Sequence, residues 1–189
     1  MVTWIIIGVI VVVLLFLVVG AYNKLVALDQ AADQSFADID VQLRQRQDLI
    51  PNLVEAVKGY ASHERGTLEA VVQARSAATH ATTVNDKVQA ENMLTATLGR
   101  LFALSEAYPQ LRANENFMRL QADLSDIENK LAAARRFFNN AVSEFNAVRR
   151  QFPTVLFAGL VGFASDKPFF DLGEADRATM NAAPPQVKF

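Results

Sequence analysis

A chain of 189 residues has room for one domain and a membrane anchor. Its net charge of −2 sets up no strong field for nucleic acid or acidic ligands, and the absence of cysteine removes disulfides, thiolate metal sites and cysteine nucleophiles together. Hydrophobic residues make up 51%, and much of the excess lies in the first 22 residues.

Residues 4–19 read WIIIGVIVVVLLFLVV, and no charge occurs before Lys24. As a helix, residues 2–22 reach about 30 Å, the thickness of a bilayer's hydrocarbon core. Trp4 and Tyr22 bracket the run as interfacial aromatic anchors. A cleaved signal peptide is the rival reading, because Val19-Gly20-Ala21 resembles a small-residue cleavage site. The missing basic n-region and the length of the apolar stretch favour a retained span. With no Lys or Arg before it and only Lys24 close behind, the span carries no orientation signal.

From Tyr22 the pattern is helical and long. Leu25, Leu28, Ala32, Phe36, Ile39, Leu43, Ile50, Leu53, Val57, Tyr60, Leu68 and Val71 recur in steps of three, four or their sums. The stripe keeps phase across Pro51, which predicts one continuous helix kinked at that proline rather than two helices. Residues 76–86, SAATHATTVND, lack an apolar period and read as a loop, with Thr83 and Asp86 resembling a capping box. A helix carrying Val88 to Tyr108 follows and stops near Pro109. Asn114 is a suitable N-cap for the last helix, whose stripe runs from Phe117 to Phe152 before Pro153.

The expected organisation is an anchor at 1–22, a helical bundle domain at 23–172 and a disordered tail at 173–189. Within the bundle domain, the segment 153–170 is apolar, glycine-containing and too interrupted to span a membrane. It is expected to cap the bundle, with the membrane surface or a neighbouring subunit as alternatives. Phe157, Phe163, Phe169 and Phe170 are its candidate interface residues.

Charged and amide residues fall in or beside the apolar stripes. Arg46 lies seven residues from both Ile39 and Leu53, Glu64 and Arg75 continue that phase, and Glu91 precedes Leu94 by three. Glu128 and Arg135 share a heptad position, and Asn139 follows on the same flank. Buried charges persist only when paired, so these seven are expected to form an interhelical network that sets register. A metal site is not expected, because no Glu-x-x-His occurs on two helices and arginines would repel a cation. Glycine-rich phosphate loops, GxSxG and HExxH are absent, and His63-Glu64 is an adjacent pair whose side chains diverge on a helix. The pairs Arg135-Arg136 and Arg149-Arg150 read as solvated faces, with no aromatic platforms to suggest nucleic acid. No catalytic residue and no cofactor are expected.

The chain resembles the LemA family in YNKLV at 22–26, FADIDVQLRQRQDLIPNLVEAVKGYASHE at 36–64 and AR at 74–75. EAYPQLRANENFMRLQADL at 106–124, ENKLAAARRFFNNAV at 128–142, FN at 145–146, FP at 152–153 and the ending PPQVKF extend the resemblance over nearly the whole chain. The resemblance implies a bacterial inner-membrane protein with one span and an antiparallel bundle of long helices, with no established activity. A magnetosome-associated relative suggests, by analogy, a membrane-organising role. The expected function is a non-enzymatic membrane-tethered scaffold that self-associates or holds envelope partners. An adaptor for membrane proteolysis or stress signalling is the alternative.

Overall fold

The computed structural model describes residues 1–171, and among these the chain is all-α with no strand. The tail expected at 173–189 lies outside the described residues. The helices are α1 (Val2–Lys58), α2 (Arg65–His80), α3 (Val84–Glu106), α4 (Pro109–Arg112) and α5 (Glu115–Arg150), followed by a 3-10 turn at Thr154–Leu156.

α1 is 57 residues, about 85 Å at the α-helical rise. Every residue from 1 to 20 is exposed, and this is the one helix among the described residues long and apolar enough to cross a membrane. Burial begins at Leu25, so the helix leaves its lipid-compatible stretch and enters protein core without a break.

The described residues form two compact units, to both of which α1 and α5 contribute. In the first, residues 1–45 and 126–169, α1 and α5 run antiparallel. Phe36 meets Phe138 with ring centroids 5.4 Å apart, while Leu25, earlier on α1, packs with Phe145, later on α5. In the second, residues 46–125 with 170–171, Ile50, Leu53 and Val57 bury against Leu68, Val71, Leu94, Leu98, Leu101 and Phe117.

The expected first helix is too long at its far end. It does not reach Val71 or Arg75 but stops at Lys58, and Gly59 to Glu64 turn the chain into α2. Tyr60 and Ala61 amides both donate to the Val57 carbonyl, and the Asn114 amide holds the Tyr60 hydroxyl at 3.0 Å. Turning back lets Leu68 and Val71 share a core with Leu53 and Val57, which a straight continuation would leave in water. The expected loop at 76–86 also shrinks, because α2 continues to His80 and α3 starts at Val84. Ala74 and Ala78 are buried, so small side chains that looked unpatterned form a close-packed seam between α2 and α3.

Two helix starts use their own side chains as caps. Thr83 Oγ1 accepts from the Asp86 amide at 3.1 Å, and Asn114 Oδ1 accepts from the Phe117 amide at 3.0 Å. Thr83→Ala is expected to cost about 1 kcal/mol, measurable by chemical denaturation followed by circular dichroism.

Candidate functional site

In the second unit a polar centre interrupts the apolar core. Arg46 is 1% exposed, as is Glu91, and Arg46 Nη1 donates to Glu91 Oε2 at 2.7 Å. Arg46 Nη2 donates to Thr95 Oγ1 at 2.9 Å, and Gln47 Nε2 to the other Glu91 oxygen at 3.3 Å. Thr79 Oγ1, which donates to the Arg75 carbonyl at 2.9 Å, lies 3.4 Å from Gln47 Oε1. The guanidinium, carboxylate and amide therefore bond to one another where water is excluded, and pairing of this kind is what lets buried charges persist.

Pro51 belongs to the same centre. A proline at this position cannot donate to the carbonyl four residues back, which is that of Gln47. Arg75 Nε, arriving from α2, donates to that carbonyl at 2.8 Å. α1 thus passes through Pro51 with its orphaned acceptor satisfied from the neighbouring helix. Arg75→Leu is expected to cost about 1–3 kcal/mol by leaving this carbonyl unpaired. Adding Pro51→Ala, which restores an amide donor to Gln47, is expected to reduce that cost, as a double-mutant cycle in denaturant would show.

Of the residues expected in one network, the structure brings together Arg46 and Glu91, with Arg75 bound to the adjacent backbone. Glu64 instead sits at the start of α2, where its carbonyl accepts from the Thr67 and Leu68 amides. Glu128, Arg135 and Asn139 lie half-buried on α5 in the first unit. Gln47 and Thr95 were not singled out from sequence. Gln47 carried a signal, four residues after Leu43 and three before Ile50; Thr95 carried only its position one turn after Glu91.

The first unit has a second polar assembly that closes the segment after α5 onto the helices. Asn146 holds Lys167 by its backbone in both directions, donating to its carbonyl at 3.0 Å and accepting from its amide at 2.9 Å. Lys167 Nζ bonds Asp33 at 2.6 Å and Asp29 at 2.9 Å. Asp166 pairs with Arg149 at 2.8 Å and also with Arg150. Arg149 is therefore a clasp residue and not part of a solvated face, whereas Arg150 stays solvent-exposed while pairing with the same carboxylate, an aspartate 16 residues downstream of it.

The hydrogen bond from Arg150, aided by Arg149, holds the Asp166 carboxyl below the usual carboxylate range despite partial desolvation. Burial opposes the charge on Lys167, but the bonds and charges of Asp33 and Asp29 outweigh it and leave its pKa above that of an ordinary lysine. A lowered Asp166 pKa gives stabilisation that is complete above the unfolded value near 4 and is lost as pH falls through the folded value. A raised Lys167 pKa gives stabilisation complete below about 10.4 and lost as pH rises through its folded value. The clasp is thus expected to hold across the neutral range and open at both extremes. The Lys167 amide resonance, which reports its bond to Asn146, would follow both transitions.

The four candidate interface phenylalanines divide. Phe163 packs edge-on against Phe145 at 5.7 Å, Phe157 is half-buried, Phe170 is 2% exposed, and only Phe169 remains largely open. The segment contributes Ala158 to the core of Leu25 and Phe145. The large exposed side chains are instead Phe152, Val155, Leu156 and Leu160. Among the described residues no cluster of His, Asp and Glu is placed to hold a metal ion.

The LemA family profile matches residues 35–189, most of the chain and all of the polar centre. The chain belongs to the LemA family. Magnetosome protein MamQ of Magnetospirillum gryphiswaldense is 22% identical, over 82% of this chain and 66% of its own length. Protein LemA of Metamycoplasma hominis is 23% identical, over 70% of this chain and 61% of its own. A MamQ of Paramagnetospirillum magneticum is 22% identical, over 75% and 62% respectively. This LemA-family chain thus spans somewhat under two thirds of the length of the curated relatives it matches. Together these likenesses suggest a membrane-associated helical protein, and neither the family nor the MamQ relatives are known as enzymes.

Proposed function

We propose that this LemA-family protein is a non-enzymatic scaffold tethered by a single span to the bacterial inner membrane, where it assembles with copies of itself and holds envelope proteins. The observation that carries the reading is α1. One helix supplies an exposed apolar stretch of membrane length and, without interruption, core positions of both units. Such an element fixes the distance between a bilayer and whatever the helices bind, which suits a spacer or organiser better than a catalyst. The likeness to magnetosome proteins is in keeping with this reading. The absence of native cysteine permits a direct test. Single cysteines introduced at the exposed positions Val41, Val72 and Phe137 are expected to give defined disulfide dimers in isolated membranes for at least one site. Uniformly monomeric chains would count against self-assembly.

An adaptor for membrane proteolysis or stress signalling is the second reading. A shallow groove of about 440 Å³ in the second unit favours it, with Val54, Leu68 and Val72 as an apolar lining and Lys58 and Arg65 among its polar residues. Val72→Asp would abolish partner capture under this reading and leave self-crosslinking through Val41→Cys and Phe137→Cys intact.

A further inference from the structure

The segment after α5 carries apolar side chains that its own unit does not cover. Phe152, Leu156 and Leu160 are 79%, 68% and 87% exposed, and Val155 is also open. From Phe152 to Ser165 the sequence FPTVLFAGLVGFAS holds no charged residue and no amide side chain. Exposed apolar clusters of this kind mark surfaces that meet another apolar phase.

The position of this segment in the first unit says which phase. α5 runs back along α1 toward the span, with Phe138 beside Phe36 and Phe145 packed with Leu25. Leu25 lies three residues, about 4.5 Å, beyond Tyr22, within the depth of a headgroup layer. Arg150 lies five residues past Phe145, about 7.5 Å further toward the span. The residues after α5 therefore emerge level with the end of the hydrocarbon-length stretch of α1.

Two more features suit entry into lipid. Bilayer interiors exclude unsatisfied backbone groups. Here the amides of Val155, Leu156, Phe157, Ala158, Leu160, Val161 and Phe163 all donate within the segment or to Gln151. Gly162, with φ +99°, makes the turn that returns Phe163 to Phe145. Charges flank the segment at both ends, Arg149 and Arg150 before it and Asp166 and Lys167 after it, and with Asp29 and Asp33 they sum to zero. An uncharged apolar tip flanked by charged residues can bury its apolar side chains at the headgroup–acyl boundary while the charges stay in the polar layer.

We infer that residues 152–161 insert into the leaflet entered by the span at Tyr22, giving the protein a second, shallow membrane contact. This inference rests on the reading of residues 2–22 as a span. The contact would pin the first unit against the bilayer and restrict how α1 tilts.

The test uses the full chain in phosphatidylcholine nanodiscs, with an environment-sensitive fluorophore on single cysteines. Leu160→Cys is the probe, Leu15→Cys the reference within the span, and Lys58→Cys the reference at the far end of α1. Leu160→Cys is expected to emit blue-shifted and to lose emission when the acyl chains are dibrominated, as Leu15→Cys does, while Lys58→Cys does neither. Water-like, unquenched emission from Leu160→Cys beside a quenched Leu15→Cys would overturn the insertion and leave the span intact. A blue shift at Leu160→Cys without bromolipid quenching would also overturn it, because a second protein surface would then be the cover. Loss of quenching at Leu15→Cys as well would show that the span itself is wrong.

Discussion

Glu91→Ala is expected to destabilise the second unit by about 3–5 kcal/mol, the range seen when one partner of a buried ion pair is removed. The loss exceeds that of a typical surface bridge because Arg46, 1% exposed, would keep its charge in a core without its carboxylate. Gln47 Nε2 loses its acceptor in the same step. Arg46→Ala is expected to fall in the same range for the mirror-image reason. Replacing both with apolar residues, Arg46→Met with Glu91→Leu, is expected to recover most of the stability, since neither charge is then buried unpaired. Denaturant unfolding of the three variants in detergent distinguishes this from simple loss of packing, which would make the double variant the worst. If the double variant is stable but forms mixed assemblies, the pair acts as a register device, as buried polar residues do in helical assemblies.

Val12→Asp is expected to lower the membrane-bound fraction of the protein. Val12 lies at the midpoint of residues 2–22, where an aspartate costs about 3 kcal/mol in helix insertion, close to a hundredfold in the insertion equilibrium. No other side chain in the described structure covers this stretch, so the charge would have no protein partner to reduce that cost. Val12→Leu serves as the control and is expected to remain membrane-bound. Fractionation after alkaline carbonate treatment measures both. A Val12→Asp protein that stays in the pellet would mean that another part of the chain, or an assembly, holds it there.

Much of this architecture was legible in the sequence, and what was not has a physical pattern. Features encoded by neighbours along the chain could be read. The apolar run at 4–19, the caps at Thr83 and Asn114 and the strict stripe of α5 all depend on residues within one or two turns. The continuity of α1 through Pro51 followed from unbroken phase. Phase then misled at Tyr60, because a tight turn placed eight residues before Leu68 preserves the same spacing as two further helical turns. Periodicity reports which face is buried and is blind to whether the chain has folded back. Arg46 and Arg75 stood out as charges in apolar phase, but the link from Arg75 to the carbonyl freed by Pro51 is a backbone contact with no side-chain signature. The clasp was the least legible part. Its bonds join Asp29 and Asp33 to Lys167, and Asp166 to Arg149 and Arg150, across separations that leave no local pattern.

The helix α1 ties these observations together, because the same element carries an apolar stretch long enough to cross a membrane, core positions and, through Gln47 and Pro51, the frame of the polar centre. Native mass spectrometry of the full-length protein released from mild detergent tests this most directly. The expected result is a subunit that retains residues 1–22 and appears chiefly as a defined multiple of itself. A subunit beginning near Tyr22, or a lone monomer released without detergent, would contradict it.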